Sequence, residues 1–336
     1  MPTATTPTRN ASLDALRVLS LLGIVSLHVA GGGFAGMKPI GFVIDELSRF
    51  AVPVFFILSA YFWKAEELAS PLRLTRRLAW RVLVPFVLWV AITMVWRMVT
   101  QPGYQPDLSP ASLVFIAWTG EPAFHLWFLP ALVVGAALVA TSGKYFGWVF
   151  TLGLALFLFV LGTTLGSYAR LLSGESFPFW LDRNGLLFAP IFLVVGVLLR
   201  RYRDRVAALS IPAVLAAAAL FAALQVVEGY FVVGRYPMGH DYSLATLGYG
   251  TAVAILFMRL ELRGSWWSLL GRATFTAYLV HLLILGLIVD HVTRYSPLVI
   301  ILTFTASLVI GVVWQAAVAA LRRKRVGAAA AQRGTS

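Results

Sequence analysis

The chain has 336 residues, 60% of them hydrophobic and only 12% charged, with 27 Lys and Arg against 14 Asp and Glu. That charged share is about half the usual one for globular domains, and apolar stretches of about 20 residues recur along the whole length, which leaves little room for a soluble fold and marks a polytopic membrane protein. The lack of cysteine excludes disulfides, thiolate nucleophiles and Cys-ligated metals, and the net charge of +13 is distributed as in the cytoplasmic loops of a membrane protein rather than as a nucleic-acid surface.

Residues 1–12 read as a polar cytoplasmic tail, not a signal peptide. Ten spans follow, at 13–33, 41–63, 82–100, 125–140, 147–166, 185–199, 206–224, 242–260, 273–290 and 297–319. All are expected to be helices, because only helices and closed barrels satisfy the backbone in lipid and these runs are too continuously apolar for barrel strands. The chain is thus expected to be all-α, with residues 13–320 forming one transmembrane domain and 321–336 a basic, disordered cytoplasmic tail. With the N-terminus inside, most Lys and Arg fall on inner segments, while the outer ones hold Lys38, Arg170, Arg183, Arg235 and Arg294. This bias expects both termini in the cytoplasm. The outer segments 101–124 and 167–184 are aromatic, as interfacial helices, a carbohydrate-facing rim or a lipid-interface belt would be.

The first span, "LDALRVLSLLGIVSLHVAGGG", carries Asp14, Arg17 and His28. Eleven residues at about 100° each bring Arg17 and His28 onto one helix face, roughly 16 Å apart along the axis. Polar groups in lipid need a partner or a function. An Asp14–Arg17 ion pair with a hydrogen-bonded histidine satisfies the first demand, a catalytic histidine the second. The second span, "FVIDELSRFAVPVFFILSAYF", brings Asp45, Glu46 and Arg49 to the depth of His28. Asp45 and Arg49 are spaced to pair, and either carboxylate is a candidate to orient the imidazole.

"RLTRRLAWRVLVPF" crowds Arg73, Arg76, Arg77 and Arg81 at the inner face, in a short loop and the start of a span. The positive-inside rule explains much of this, and a phosphate site explains it too. His125 and Trp127 in "HLWFLP" lie at the outer face, and His281 in "TFTAYLVHLLIL" lies near mid-depth. No two histidines share an i, i+4 spacing, so the pattern gives no metal site.

These stretches, in this order, resemble the acyltransferase family 3 membrane proteins, which O-acylate surface glycans. Arg17 and His28 match the family's Arg-x10-His pattern, and "VPVFFILSAYF" its phenylalanine-rich second-helix motif, with Ala60 where Gly is usual. "RRLAWRVLVPFVLW" is similar to the family's basic loop, its Arg-x-x-Arg falling on Arg73 and Arg76 or, more loosely, on Arg77 and Arg81. "HLWFLPAL" and "TAYLVHLLIL" are similar to two further motifs. The resemblance implies a ten-helix core in the cell membrane (the bacterial inner or plasma membrane) and an acyl-CoA co-substrate, usually acetyl-CoA, with no permanently bound cofactor. It also implies an acceptor hydroxyl on a glycan or lipid-linked sugar, with His28 catalytic and Arg17 its partner on the donor path.

With that donor, Arg17, Arg73, Arg76, Arg77 and Arg81 are the expected phosphate contacts, and Asp45 or Glu46 the expected orienter of His28. Arg49, His125, Trp127 and His281 are the expected acceptor contacts, with no metal. The alternative function is a transporter or exporter of a glycan or small anionic molecule, in which the buried charges line a path.

Overall fold

The computed structural model describes the backbone of residues 10–33, 38–174, 177–233 and 242–333, and side chains there except at 31–33, 233 and 322–333. Most of the expected N-terminal tail lies outside the described residues, as does Arg235. The described residues are helices and connecting turns throughout: α1 (Ala11–Gly33), α2 (Lys38–Ser48), α3 (Ala51–Tyr61), α4 (Ala65–Leu68) and α5 (Pro71–Thr100) come first. Then come α6 (Pro110–Thr119), α7 (Phe128–Tyr145), α8 (Gly147–Leu165), α9 (Ala169–Ser173) and α10 (Ala189–Arg201). The last are α11 (Arg203–Ala208), α12 (Ile211–Glu228), α13 (Leu244–Arg259), α14 (Ser265–His291) and α15 (Ser296–Arg333).

Among the described residues, 7 helical segments are long and apolar enough to cross a membrane: Ala11–Ala30, Pro71–Thr100, Phe124–Tyr145, Gly147–Leu165, Ile211–Val232, Ser265–His291 and Ser296–Leu321. They fit a multi-pass membrane protein. The other three expected spans are also helical but differ from a full crossing. The span expected at 41–63 is broken into α2 and α3, and those at 185–199 and 242–260 are the 13-residue α10 and the 16-residue α13. The break has a local cause. Pro53 is the third residue of α3, and its ring has no N–H and collides with the carbonyl four residues back, that of Arg49. The chain therefore turns at Arg49 and Phe50.

Arg73, Arg76, Arg77 and Arg81 lie on the first turns of α5, not in a loop. Pro71 starts that helix, where a missing N–H costs nothing. Leu74, Leu78, Val82, Phe86 and Val90 then form a buried stripe that carries the helix inward. At the other end of the chain, α15 runs as helix to Arg333, past residue 321.

The most buried of the long helices is α1, packed against α14, α2, α15 and α3. Small residues allow the approach: a Cβ on Gly23 would lie 3.0 Å from the Ala51 Cβ of α3. In turn α3 packs on α10 and α13. Where α3 crosses α10, Ala60 faces Gly196, and a Cβ there would sit 2.9 Å from the Ala60 Cβ and nearer still to the Ile57 carbonyl. The methyl that this chain carries at position 60 thus rests in the space left by a glycine.

Gly196→Val is expected to force α3 and α10 apart, at a cost of about 1–3 kcal/mol for overpacking. The check is the thermal unfolding midpoint of the purified protein in detergent. Gly153→Val, at a position with nothing within 4 Å of an added Cβ, is expected to leave that midpoint unchanged.

Candidate active site

Three histidines from distant parts of the chain meet at one point. His28 comes from α1, His281 from α14, and His125 from a 3-10 turn, Phe124–Trp127, that leads into α7. The His281 ring centroid lies 5.2 Å from that of His28 and 5.0 Å from that of His125. Phe124 meets the His28 ring edge-on at 5.6 Å. His125 and His281 are buried, and His28 is half-buried.

Backbone carbonyls fix the outer two rings. His281 Nδ1 lies 2.5 Å from the Tyr278 carbonyl, and His125 Nε2 lies 3.3 Å from the Leu279 carbonyl. A carbonyl only accepts, so each of these nitrogens donates its proton. The remaining nitrogens, His281 Nε2 and His125 Nδ1, are buried with no hydrogen-bond partner. The Tyr278 hydroxyl donates to the His125 carbonyl and locks the 3-10 turn onto α14.

The alignment of α1 with α14 sets this meeting point. Toward the start of both helices Asp14 packs on Gly271, where an added Cβ would lie 2.6 Å from Asp14 Oδ1. Farther along both, His28 meets His281. The two helices therefore run parallel, and both carry an arginine toward their starts and a histidine deeper in. Arg17 is paired with the fully buried Asp14 at 2.5 Å and lies over the Phe62 ring at 5.2 Å.

The second polar group is a buried network around Arg49. Arg49 pairs with Asp45, and its Nε lies 3.2 Å from Glu46 Oε2. Gln225 of α12 donates to Glu46 Oε2 at 2.7 Å and accepts from the Thr246 hydroxyl of α13 at 2.8 Å. These five side chains, and Ser243 bonded to Gln225, are buried. Among the described residues no hydrogen bond joins His28 to Asp45 or Glu46, the expected orienters, which lie instead on Arg49. A buried guanidinium requires the carboxylates, and they are held on Arg49.

One cavity of about 1310 Å³ connects these parts. Arg17, Arg77, Arg81 and Arg272 line it, and so do His28, His125, Asp45, Arg49, Trp127 and Arg183. Of the expected inner arginines, Arg73 and Arg76 do not line it. Arg77, which is paired with Glu67, and Arg81 share the face that does. Glu46 and His281 stand behind the wall. Arg272 and Arg183 read in the sequence only as topology charges, Tyr278 only as part of the "TAYLVHLLIL" stretch, and Gln225 carries no signal. Each acquires its place from a contact between distant helices. Arg272 lacks the helical spacing that joins Arg17 to His28, since nine residues at about 100° each set it half a turn from the face of His281. Arg183, over the Phe179 ring at 5.7 Å, lines the same cavity as His28.

Among the described residues no group of three or more His, Asp or Glu is arranged to hold a metal ion. What the arrangement offers is an imidazole facing a long cavity, cationic groups that can take phosphates, and a guanidinium held by two carboxylates.

A family profile described as "Acyltransferase domain" matches residues 10–315. The chain is 25% identical over 294 residues to a protein of Enterococcus gallinarum named serine/alanine racemase, covering 81% of this chain and 40% of that protein. It is 28% identical over 211 residues to a protein of Enterococcus faecalis named amino-acid racemase, covering 56% of this chain and 28% of that one. The chain thus spans well under half the length of these relatives. No solved structure matches it.

Arg49→Ala leaves Asp45 and Glu46 buried without their guanidinium and is expected to cost about 3–5 kcal/mol. Thermal unfolding in detergent measures it. Arg49→Lys, which keeps the charge but loses the fork, is expected to fall between Arg49→Ala and wild type.

Proposed function

This chain belongs to the acyltransferase family, and we propose that it is a membrane O-acyltransferase moving an acetyl group from acetyl-CoA to a hydroxyl of a cell-surface polysaccharide or its lipid-linked precursor. The observation that carries the reading is the single cavity, lined by Arg17, Arg77, Arg81 and Arg272 as well as by His28 and His125. A donor with phosphates at one end and a thioester at the other needs both groups on one path. Arg17 and His28 stand roughly 16 Å apart along α1, so an extended pantetheine arm can lie beside that stripe.

The membrane topology is part of the proposal. Ten helical crossings, counting the broken α2–α3 pair and the short α10 and α13, place both termini and the basic segments in the cytoplasm of a cell membrane. Residues 13–320 are then the catalytic domain, flanked by cytoplasmic tails. The phosphates meet the arginines from the cytoplasm, and the acceptor reaches His28 from the outer half.

The chemistry follows from His28. Its imidazole takes the proton of the acceptor hydroxyl as the oxygen attacks the thioester carbonyl carbon. The carbon–sulfur bond breaks, and the thiolate of CoA takes that proton from His28. Ester and free thiol result, with no net proton consumed. Arg49, clamped by its two carboxylates, is a rigid cation at the cavity wall for the oxygen that gains charge. His125 and Trp127 offer an acceptor contact each.

A second reading has support of its own. The two relatives are named for amino-acid substrates, and a cavity of this size with charged walls also fits passage of a small charged molecule. Acceptor flux across vesicles without acylation is the outcome that favours it.

His28→Ala is expected to lower label transfer from [acetyl-14C]acetyl-CoA to a membrane glycan fraction by at least about 10²-fold, the scale of a lost general base, while CoA binding persists. Arg81→Ala is expected to raise KM for acetyl-CoA about 10-fold, the loss of one charge-assisted contact. With S-acetylpantetheine, which has no phosphates, Arg81→Ala and wild type are expected to match. Wild type that neither binds nor consumes acetyl-CoA beside an acceptor overturns the reading.

A further inference from the structure

His281 is fully buried and does not line the cavity, so a substrate has no access to it. Its Nδ1 proton is committed to the Tyr278 carbonyl, and its Nε2 is an acceptor with no partner. A buried acceptor in a lipid-spanning bundle is costly unless a donor reaches it. The candidate donors are the two neighbouring imidazoles. His125 is ruled out, because its N–H points to the Leu279 carbonyl and its other nitrogen is itself an acceptor. That leaves His28, whose ring centroid is 5.2 Å away with the planes 36° apart. At that spacing a small rotation of either ring brings facing nitrogens into hydrogen-bond range, and such contacts tighten when substrate binds.

We infer that His281 is the positioning residue for His28: its Nε2 accepts the N–H on the far side of the His28 ring, the place held by a carboxylate in a catalytic triad. The inference rests on the acyltransferase reading for its kinetic consequence. The proton count closes. The acceptor hydroxyl gives its proton to the cavity-facing nitrogen of His28, the opposite N–H of the resulting imidazolium is held by His281 Nε2, and the thiolate of CoA removes the first proton again. His281 neither gains nor loses a proton. Besides Arg17, Arg77, Arg81 and Arg272, the charged and imidazole groups facing the His28 cavity are His125 from the 3-10 turn, Arg183 from the segment before α10, and Asp45 with Arg49 from α2 and its break. Asp45 is already paired, so His281 is the free acceptor behind the ring.

Two variants separate positioning from packing. His281→Leu keeps volume and removes the acceptor, and His281→Gln returns an amide oxygen near the Nε2 position. Acetyl transfer by His281→Leu is expected to lose about 10–100-fold in kcat, the scale of a removed supporting hydrogen bond, with KM for acetyl-CoA unchanged. His281→Gln is expected to recover most of that loss.

A second readout needs no acyltransferase activity: the rate at which diethyl pyrocarbonate modifies His28, followed by peptide mass spectrometry on protein in nanodiscs. An imidazole whose far N–H is held by an acceptor is the stronger nucleophile. His281→Leu is therefore expected to slow His28 modification several-fold at constant pH, and His281→Gln to restore it. Equal His28 reactivity in wild type and His281→Leu overturns the inference, as does equal loss in both variants. Wild type inert toward acetyl-CoA, with His28 reactivity still responding to position 281, overturns the acyltransferase reading and upholds the His28–His281 pairing.

Discussion

A bundle that spans lipid offers a buried charge no bulk water, so a charged side chain inside it must arrive with its partner. That demand organises this molecule. Asp14 and Arg17 satisfy each other within one turn of α1. Asp45, Glu46 and Arg49 do the same across the break between α2 and α3, and Gln225 and Thr246 extend the network to α12 and α13. Because the partners sit on different helices, satisfying the charge also fixes where α2, α12 and α13 stand. Between the two networks lies the cavity. Its walls therefore carry charges that cannot drift, which is what a site that stabilises a developing charge requires.

Small residues supply the second half of the organisation. Lipid gives helices little hydrophobic reason to associate, so close backbone approach and packing must hold them. Gly271 lets Asp14 of α1 press on α14, Gly311 brings α15 within 2.5 Å, from a notional Cβ, of the Ala273 carbonyl, and Gly196 receives Ala60. The first of these has a consequence at a distance. Pinning α1 to α14 near their starts, with the two chains parallel, brings His28 and His281 level deeper in the bundle. A substitution at Gly271 would thus move a histidine pair that lies about 15 Å farther along α14.

What could be read in the sequence was what a single helix encodes. Hydropathy located the seven helical segments long enough to cross a membrane, because apolar length is a local property. The Arg17–His28 stripe follows from helix periodicity alone, and both residues line the cavity. The Asp45–Arg49 pair follows from i, i+4 spacing and is present. The failures are of another kind. Choosing among Arg73, Arg76, Arg77 and Arg81 needs the rotation of α5, set by its Leu74–Leu78–Val82 stripe against the core, and that stripe is visible only once residues 71–81 are known to be helix. Sequence proximity points to carboxylates on the next helix as partners of His28, whereas an imidazole beside it in space comes from residue 281. Gln225 and Arg183 have no local signature, since their roles exist only in contacts between segments far apart in the chain.

If His28 is the base proposed above, an imidazole behind it in place of a carboxylate has a physical rationale in this setting. Charges interact strongly where the dielectric is low. An unpaired carboxylate beside His28 would hold a proton on the ring before any acceptor arrived, and the base would be occupied. It would also repel the oxygen that turns negative as the thioester is attacked. A neutral acceptor does neither. Its hydrogen bond to the far N–H orients the ring at rest and strengthens once the imidazolium forms, so its stabilisation grows with the charge it answers. The same logic explains why Asp45, which does line the cavity, is held on Arg49. The guanidinium offsets its charge at the wall and, on the proposed reading, leaves the imidazole free for the acceptor hydroxyl.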